Sequence, residues 1–146
     1  MVSKKISGIQ TGISGEYFVA AELSRRGYPC SITIKNTKGI DILVSSKNSK
    51  RLIGIQVKSN QGNKKDWVLN EKAEEFAEDN LFYVFTSNLD KLNVIPDYYI
   101  VPSGIVASYI RKDHREWLLK KGVKGQPHKD NPLRKFRDAK QKYKNR

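Results

Sequence analysis

The arrangement of this chain follows from one short segment, Ile53-Gly54-Ile55-Gln56-Val57-Lys58. Side chains of a strand alternate between its two faces, so the three branched apolar residues of this segment point into a core. Gln56 and Lys58 then lie side by side on the opposite face. Asp41 opens the preceding predicted strand, and a hairpin would place it opposite them. We therefore expect an acid, an amide oxygen and an ammonium group to converge.

This group of side chains suits metal-assisted hydrolysis of a phosphodiester. Mg²⁺ takes oxygen ligands and retains several waters, and Asp41, the amide oxygen of Gln56 and a strand carbonyl would supply such ligands. A bound metal lowers the pKa of water and neutralises charge developing on phosphate, while Lys58 can orient the water or stabilise the pentacovalent state. The alternative interpretation is a polar strand edge, with Asp41 in a turn and the other two residues facing solvent.

A fourth polar residue, Glu16, lies on a predicted helix that is capped by Ser14 and ends at Gly27. Glu16 shares a helical stripe with Ala20 and Leu23. Because these neighbours are small or apolar, the stripe is expected to face the sheet and to point Glu16 inward. The alternative is a first-turn acid that only complements the helix dipole.

The remaining elements follow from apolar runs and turn residues. Strands are predicted over residues 28–34, 40–46, 51–58, 67–69, 81–86 and 98–101. Helices are predicted after Asn70, from Ser103 to about residue 120, and as a last basic helix over residues 133–144. This mixed order predicts an α/β fold with a sheet flanked by helices.

Three segments, in this order, resemble the PD-(D/E)xK nuclease superfamily: Gly15-Glu16-Tyr17, Gly39-Ile40-Asp41-Ile42-Leu43 and Ile55-Gln56-Val57-Lys58. The resemblance covers about residues 13–69. It is most similar to the branch that contains Holliday junction resolvases and small restriction-like endonucleases. It implies a restriction-endonuclease-like core, with a central mixed sheet flanked by helices, and DNA cleavage that depends on Mg²⁺ or Mn²⁺.

The resemblance also implies roles for particular residues. Glu16 matches the helix acid, Asp41 the first strand acid, and Lys58 the lysine. Gln56 stands at the position of the second strand acid, and the backbone carbonyl of Val57 at a position that binds metal. Asp41, Gln56 and Val57 are thus the implied metal ligands, with Glu16 as a further candidate. The chain departs from the family pattern at Gln56, which replaces Asp or Glu, and at position 40, where Ile replaces Pro.

Charge is concentrated near the C-terminus of the 146-residue chain. The formal net charge is +13, and residues 103–146 contribute 14 basic and 4 acidic residues. Such a field attracts polyanions. We expect a nuclease-like domain over residues 1–120 and a basic extension over residues 121–146 that grips phosphates. Its candidate DNA contacts are Arg134, Lys135, Arg137, Lys140, Lys142, Lys144 and Arg146. The alternative is a solvated tail.

Composition restricts the other classes of function. A single cysteine, Cys30, excludes an internal disulfide and a cysteine-based zinc site. The absence of an 18-residue apolar stretch and of a signal-peptide pattern predicts a cytoplasmic protein. Cutting two strands usually needs two active sites, so a homodimer is expected. Two other hypotheses remain open: an inactive or weakened DNA-binding module of the same fold, and a basic protein for RNA or membrane surfaces in which the motif is accidental.

Overall fold

The computed structural model describes residues 5–34 and 39–145. Its helices are α1 (Gly8–Arg25) and α2 (Ser103–Leu119), with a single 3₁₀ turn at Glu71–Glu74. Its strands are β1 (Cys30–Ile32), β2 (Ile42–Ser45), β3 (Leu52–Ser59), β4 (Asp66–Asn70), β5 (Leu81–Ser87), β6 (Asp97–Pro102) and β7 (Leu133–Arg137). Every strand that the sequence predicts is present, most of them within two residues of the expected ends.

The central sheet has five strands in the order β1-β2-β3-β5-β6. The β3–β5 pair is parallel and the other three pairs are antiparallel. Strands β2 and β3 form the expected hairpin, with Ile42 opposite Ile55. The parallel pair places Gln56 beside Tyr83. The expected α/β fold with a central mixed sheet is therefore confirmed.

The two faces of the sheet are covered by different elements. On one face, Val19 of α1 packs with Ile55 and Val57 of β3, as the alternation of β3 predicts. On the other face, α2 and a two-stranded ribbon of β4 and β7 cover an aromatic cluster that includes Tyr83 and Phe136. The polar face of β3 therefore lies on the side of the ribbon, away from α1. Within the described ranges, neither helix is apolar and long enough to cross a membrane.

The N-cap of helix α1 lies seven residues before the predicted cap, Ser14. Ser7 is the N-cap, and its side chain and that of Gln10 form a capping box. Glu16 therefore lies in the third turn, beyond the range over which the helix dipole acts. The reading of Glu16 as a first-turn acid is wrong. The predicted end is correct, since Gly27 follows the C-cap with a φ of +87°.

Two other helix predictions need correction. The helix expected after Asn70 is only the 3₁₀ turn, although Asn70 does cap it through a bond to the backbone N–H of Lys72. Helix α2 lies where it is expected, but its N-cap is Pro102, which makes no side-chain cap bond. The hydroxyl of Ser103 instead donates to the carbonyl of Glu78 and accepts from its N–H.

The C-terminal segment is a strand where the sequence analysis expects a helix. Strand β7 pairs antiparallel with β4, with Phe136 opposite Trp67. Burial alternates along it: Arg134 and Phe136 are buried while Lys135 and Arg137 are exposed. This is the two-residue period of a half-buried strand. Because Phe136 belongs to the main aromatic cluster, this part of the expected extension packs against residues 1–120.

Candidate active site

The site is organised around Asp41, which lies just before β2. Its backbone N–H donates to the carbonyl of Ile55 at 2.8 Å, and its Oδ2 accepts from the N–H of Val57 at 2.7 Å. The paired register of β2 and β3 begins with Ile42 opposite Ile55, and the two bonds of Asp41 join it to the residues on either side of Gln56. The hairpin thus brings together the acid and the amide that the sequence analysis places there.

The electrostatics of Asp41 reflect this position. Partial burial raises the pKa of its carboxyl above the ordinary value of 3.8, while the hydrogen bond from Val57 and the charge of Lys58 lower it. Burial is the largest of the three effects. The carboxylate is therefore held in an environment that disfavours its charge, beside a lysine that favours it.

Gln56 and Lys58 line one wall of an open cleft of about 650 Å³. The opposite wall is the end of β4 with the 3₁₀ turn, and it contributes Asn70, Lys72 and Glu75. Both Gln56 and Lys58 are half-buried. The alternation of β3 therefore directs both side chains into a concave surface, and the reading of a solvent-facing strand edge does not apply to them.

Tyr83, which the sequence motifs do not single out, lines the same cleft. Tyr83 of β5 is the direct neighbour of Gln56 of β3, and Asp41, just before β2, bonds to the residues on either side of Gln56. Tyr83 is fully buried. Burial and the nearby charge of Asp41 raise the pKa of its hydroxyl well above the ordinary value, so it stays protonated. A tyrosine in a continuous apolar run carries no local signal of this position.

Glu16 lies beside the point where α1 contacts β3. The preceding Gly15 is buried against Ser59 and Thr86, and Ser59 directly follows Lys58. Glu16 itself is half-buried. The helix thus carries Glu16 to the end of β3 where Lys58 lies, and its role as helix acid remains a prediction.

The donor set fits a hard divalent cation that keeps much of its own water. Asp41 supplies one carboxylate and Gln56 one amide oxygen, and Mg²⁺ commonly uses one or two carboxylates of the protein. Among residues 5–34 and 39–145, no three His, Cys, Asp or Glu side chains come together as a metal cluster. A cation here would rely on Asp41, Gln56 and backbone carbonyls such as that of Val57, with Glu16 as a further candidate.

The predicted DNA contacts at the C-terminus have different environments. Arg134 is buried, with its Nε 2.7 Å from an oxygen of Glu74, so it is a structural residue and not an exposed phosphate contact. Arg137 and Lys144 form ion pairs with Asp113 and Asp97, at 2.6 and 3.0 Å. Arg137 is exposed despite its ion pair, and so is Lys135, whose Nζ lies 4.0 Å from an oxygen of Asp66. Lys140 and Lys142 are exposed as well. Arg146 lies outside the described residues.

Comparisons with known proteins bear on this architecture. No protein-family model and no curated protein matches the chain. Among solved structures, the chain is similar to the bacterial homing endonuclease I-Ssp6803I, with 16% identity, a TM-score of 0.51 and 72% of each chain covered. A second similar structure is Hjc, a Holliday junction resolvase from the archaeal hyperthermophile Archaeoglobus fulgidus, with 12% identity, a TM-score of 0.47, and 88% of this chain and 84% of that chain covered. The described strands and helices thus form a restriction-endonuclease-like α/β core.

Proposed function

We propose that this chain is a DNA endonuclease that hydrolyses phosphodiester bonds with the help of Mg²⁺ or Mn²⁺. The observation that carries the proposal is that Asp41 bonds to the residues on either side of Gln56, with Lys58 on the same strand face as Gln56. Asp41 is fixed by the N–H of Val57, and Gln56 and Lys58 open into the cleft. The fold is also similar to that of a homing endonuclease.

Each residue of the site has a distinct task in this reaction. Asp41, the amide oxygen of Gln56 and the carbonyl of Val57 would hold the cation, with Glu16 as a further candidate. A bound cation supplies a water of lowered pKa and offsets charge that develops on the phosphate. Lys58 places an ammonium group where the attacking water and the phosphate meet, and so stabilises the more negative transition state.

DNA is the substrate that the charge of the chain favours. The net charge of +13 attracts a polyanion, and the exposed lysines Lys135, Lys140 and Lys142 are proposed to contact phosphates. Cleavage of both strands usually needs two active sites, so we propose that the chain acts as a homodimer. The substrate would be a branched DNA structure or a specific duplex sequence.

The test is a panel of linear, nicked, single-stranded and four-way DNA, incubated with Mg²⁺ or Mn²⁺ and with EDTA as the control. We expect metal-dependent cleavage of at least one of these substrates. Cleavage that persists in EDTA would contradict the metal requirement. If none of these substrates is cut, the proposal is wrong.

Lys58→Ala tests the site within the same panel. Loss of one preorganised charge at the transition state should lower the cleavage rate by about 10²-fold to 10³-fold. Lys72→Ala is the matched control, because Lys72 lines the opposite wall of the same cleft. A Lys58→Ala protein that is folded by circular dichroism and cuts DNA as fast as the parent would show that the assignment is wrong.

One observation favours a second candidate, a DNA-binding module with weakened catalysis. Gln56 offers no charge, and in the described residues no third acidic or imidazole ligand completes a metal cluster. This candidate predicts that the chain binds DNA without cutting it. It also predicts that Gln56→Glu creates cleavage, because the affinity of a hard cation rises with the number of carboxylates.

A further inference from the structure

The hydroxyl of Tyr83 is a polar group that the fold itself does not use. In the part of the chain that the structure describes, only two buried side-chain polar atoms have no hydrogen-bond partner, the hydroxyl of Tyr83 and Oδ1 of Asn88. Tyr83 is fully buried, and it is the one of the two that lines the cleft with Gln56 and Lys58. A buried polar group without a partner lowers the stability of the fold.

Packing does not explain this hydroxyl. The ring of Tyr83 stacks on Phe85, with centroids 5.4 Å apart, and meets the edge of Phe76 at 5.5 Å. Both contacts use only the ring, and a phenylalanine at position 83 would make them equally well. The neighbouring members of the same cluster, Phe85 and Phe136, carry no hydroxyl. The presence of a hydroxyl at position 83 therefore points to a role in the cleft that it borders.

The position of Gln56 indicates that role. Tyr83 is the neighbour of Gln56 on β5, and Asp41, from the segment before β2, bonds to both Ile55 and Val57, which flank Gln56. An amide presents an oxygen acceptor and an NH₂ donor, and only the oxygen can bind a cation. Without another partner, the NH₂ group would turn toward the Asp41 carboxylate, because the carboxylate accepts hydrogen bonds. That orientation would point a donor at the place where the cation must bind.

We infer that Tyr83 is a positioning residue: when a cation binds, its unpaired hydroxyl accepts a hydrogen bond from Nε2 of Gln56 and so keeps Oε1 turned toward Asp41. The inference rests on the proposed function, because the orientation matters only if Gln56 holds a cation. The ring of Tyr83 is fixed between Phe76 and Phe85, so the half-buried amide is the group that turns. The proposed site thus gains a residue of β5 beside Gln56 and Lys58 of β3.

The test compares Tyr83→Phe in two backgrounds, wild type and Gln56→Glu. In wild type the variant should fold as stably as the parent or more so, because it removes only an unpaired buried hydroxyl. Its Mg²⁺ affinity should fall by about 10-fold to 100-fold, as for other partners that orient metal ligands. The readout is the Mg²⁺-dependent rise in melting temperature, since a ligand of the native state stabilises by mass action.

The Gln56→Glu background separates positioning from any other role. A glutamate presents an oxygen on both sides, so it needs no orientation, and Tyr83→Phe should then change the Mg²⁺ shift little. An equal loss of Mg²⁺ affinity in both backgrounds would overturn the inference. Tyr99→Phe is the matched control: Tyr99 is also fully buried, but its hydroxyl lies 3.4 Å from Gln141 and should not affect the Mg²⁺ shift.

A spectroscopic readout keeps this inference separate from the proposed function. The side-chain amide resonance of Gln56, assigned by its loss in Gln56→Glu, should shift in Tyr83→Phe when Mg²⁺ and a DNA duplex are present. If DNA is cut but this resonance is the same with and without the hydroxyl, the positioning role is wrong and the endonuclease remains. If wild type neither responds to Mg²⁺ nor cuts DNA, the proposed function fails, and the positioning role fails with it.

Discussion

At the residue scale, Asp41 carries an energetic conflict that packing alone would not require. Its carboxylate is partly buried, which raises the pKa of the group, and the N–H of Val57 holds it in place. A neutral asparagine could accept the same hydrogen bond without the penalty for burying a charge. The charge is thus maintained at the cost of folding stability, which is typical of functional sites.

Asp41→Asn should therefore raise the stability of the apo protein at pH 7 and abolish cleavage. A pKa raised in the folded state means that the native protein binds the proton more tightly, so the free energy of unfolding falls as pH rises through that pKa. The increase in the free energy of unfolding caused by Asp41→Asn should be largest above the pKa that Asp41 has in the folded protein. It should shrink toward about pH 4, where the aspartate is increasingly protonated. Thermal melts of both proteins across this range measure it, and a variant less stable than wild type at pH 7 would contradict it.

The site residues differ in how visible they are in the sequence. Asp41, Gln56 and Lys58 could be predicted because a local hairpin and the two-residue period of a strand fix their relation. Tyr83 could not, because it reaches Gln56 through the parallel pairing of β3 and β5. Such a pairing joins segments separated by a long connection, and no local pattern specifies its register.

At the element scale, the start of α1 and the C-terminal strand could not be predicted from the local sequence, for physical reasons. Ser14 and Ser7 are both acceptable caps, and only the capping box with Gln10 selects Ser7. The C-terminal segment contains many lysines and arginines, which are good helix formers. Its strand conformation comes from pairing with β4 and from burial of Phe136, and tertiary contacts of this kind override local propensity.

Gly15→Ala should push α1 away from the end of β3 and so lower the stability of the protein. A Cβ at position 15 would overlap Oγ of Ser59 and lie 3.3 Å from Oγ1 of Thr86, so Ser59 would have to give up its 2.9 Å bond to Thr86. Overpacking of this kind typically costs about 1–3 kcal/mol. We expect a lower melting temperature, and reduced cleavage if Glu16 acts at the adjacent site.

Gly12→Ala is the matched control on the same helix. No atom lies within 4 Å of a Cβ at position 12, so only the higher helix propensity of alanine should act. That gain is about 0.5–1 kcal/mol. A Gly15→Ala protein as stable as the Gly12→Ala protein would show that the close approach of α1 to β3 does not limit stability.

At the scale of the whole molecule, the basic C-terminus is both part of the fold and a surface. Arg134 and Phe136 are buried, so deletion of residues 134–146 would remove a strand of the ribbon and part of the core. Such a deletion would report on folding and not on DNA contacts. The excess of positive charge is a property that the sequence reveals directly, whereas the division between structural and exposed charges depends on the pairing of β7 with β4.

Exposed lysines are therefore the appropriate test of the charged surface. The triple variant Lys135→Gln, Lys140→Gln, Lys142→Gln lowers the net charge from +13 to +10 and leaves the buried face of β7 intact. Each phosphate contact that is lost should reduce the slope of log affinity against log salt by about 0.9. Cleavage at saturating DNA should change little, because the proposed site lies on β2, β3 and β5.

The control for this variant is a second triple with the same change in net charge, Lys47→Gln, Lys50→Gln, Arg51→Gln. These exposed residues lie in the turn between β2 and β3, at the end of the hairpin opposite Lys58. A general attraction between a cationic protein and DNA would make the two triples equivalent, since both carry +10. A localised binding surface at the C-terminus predicts a flatter salt dependence for the first triple alone. Equal slopes for the two variants would mean that Lys135, Lys140 and Lys142 contribute only to the overall field of the protein.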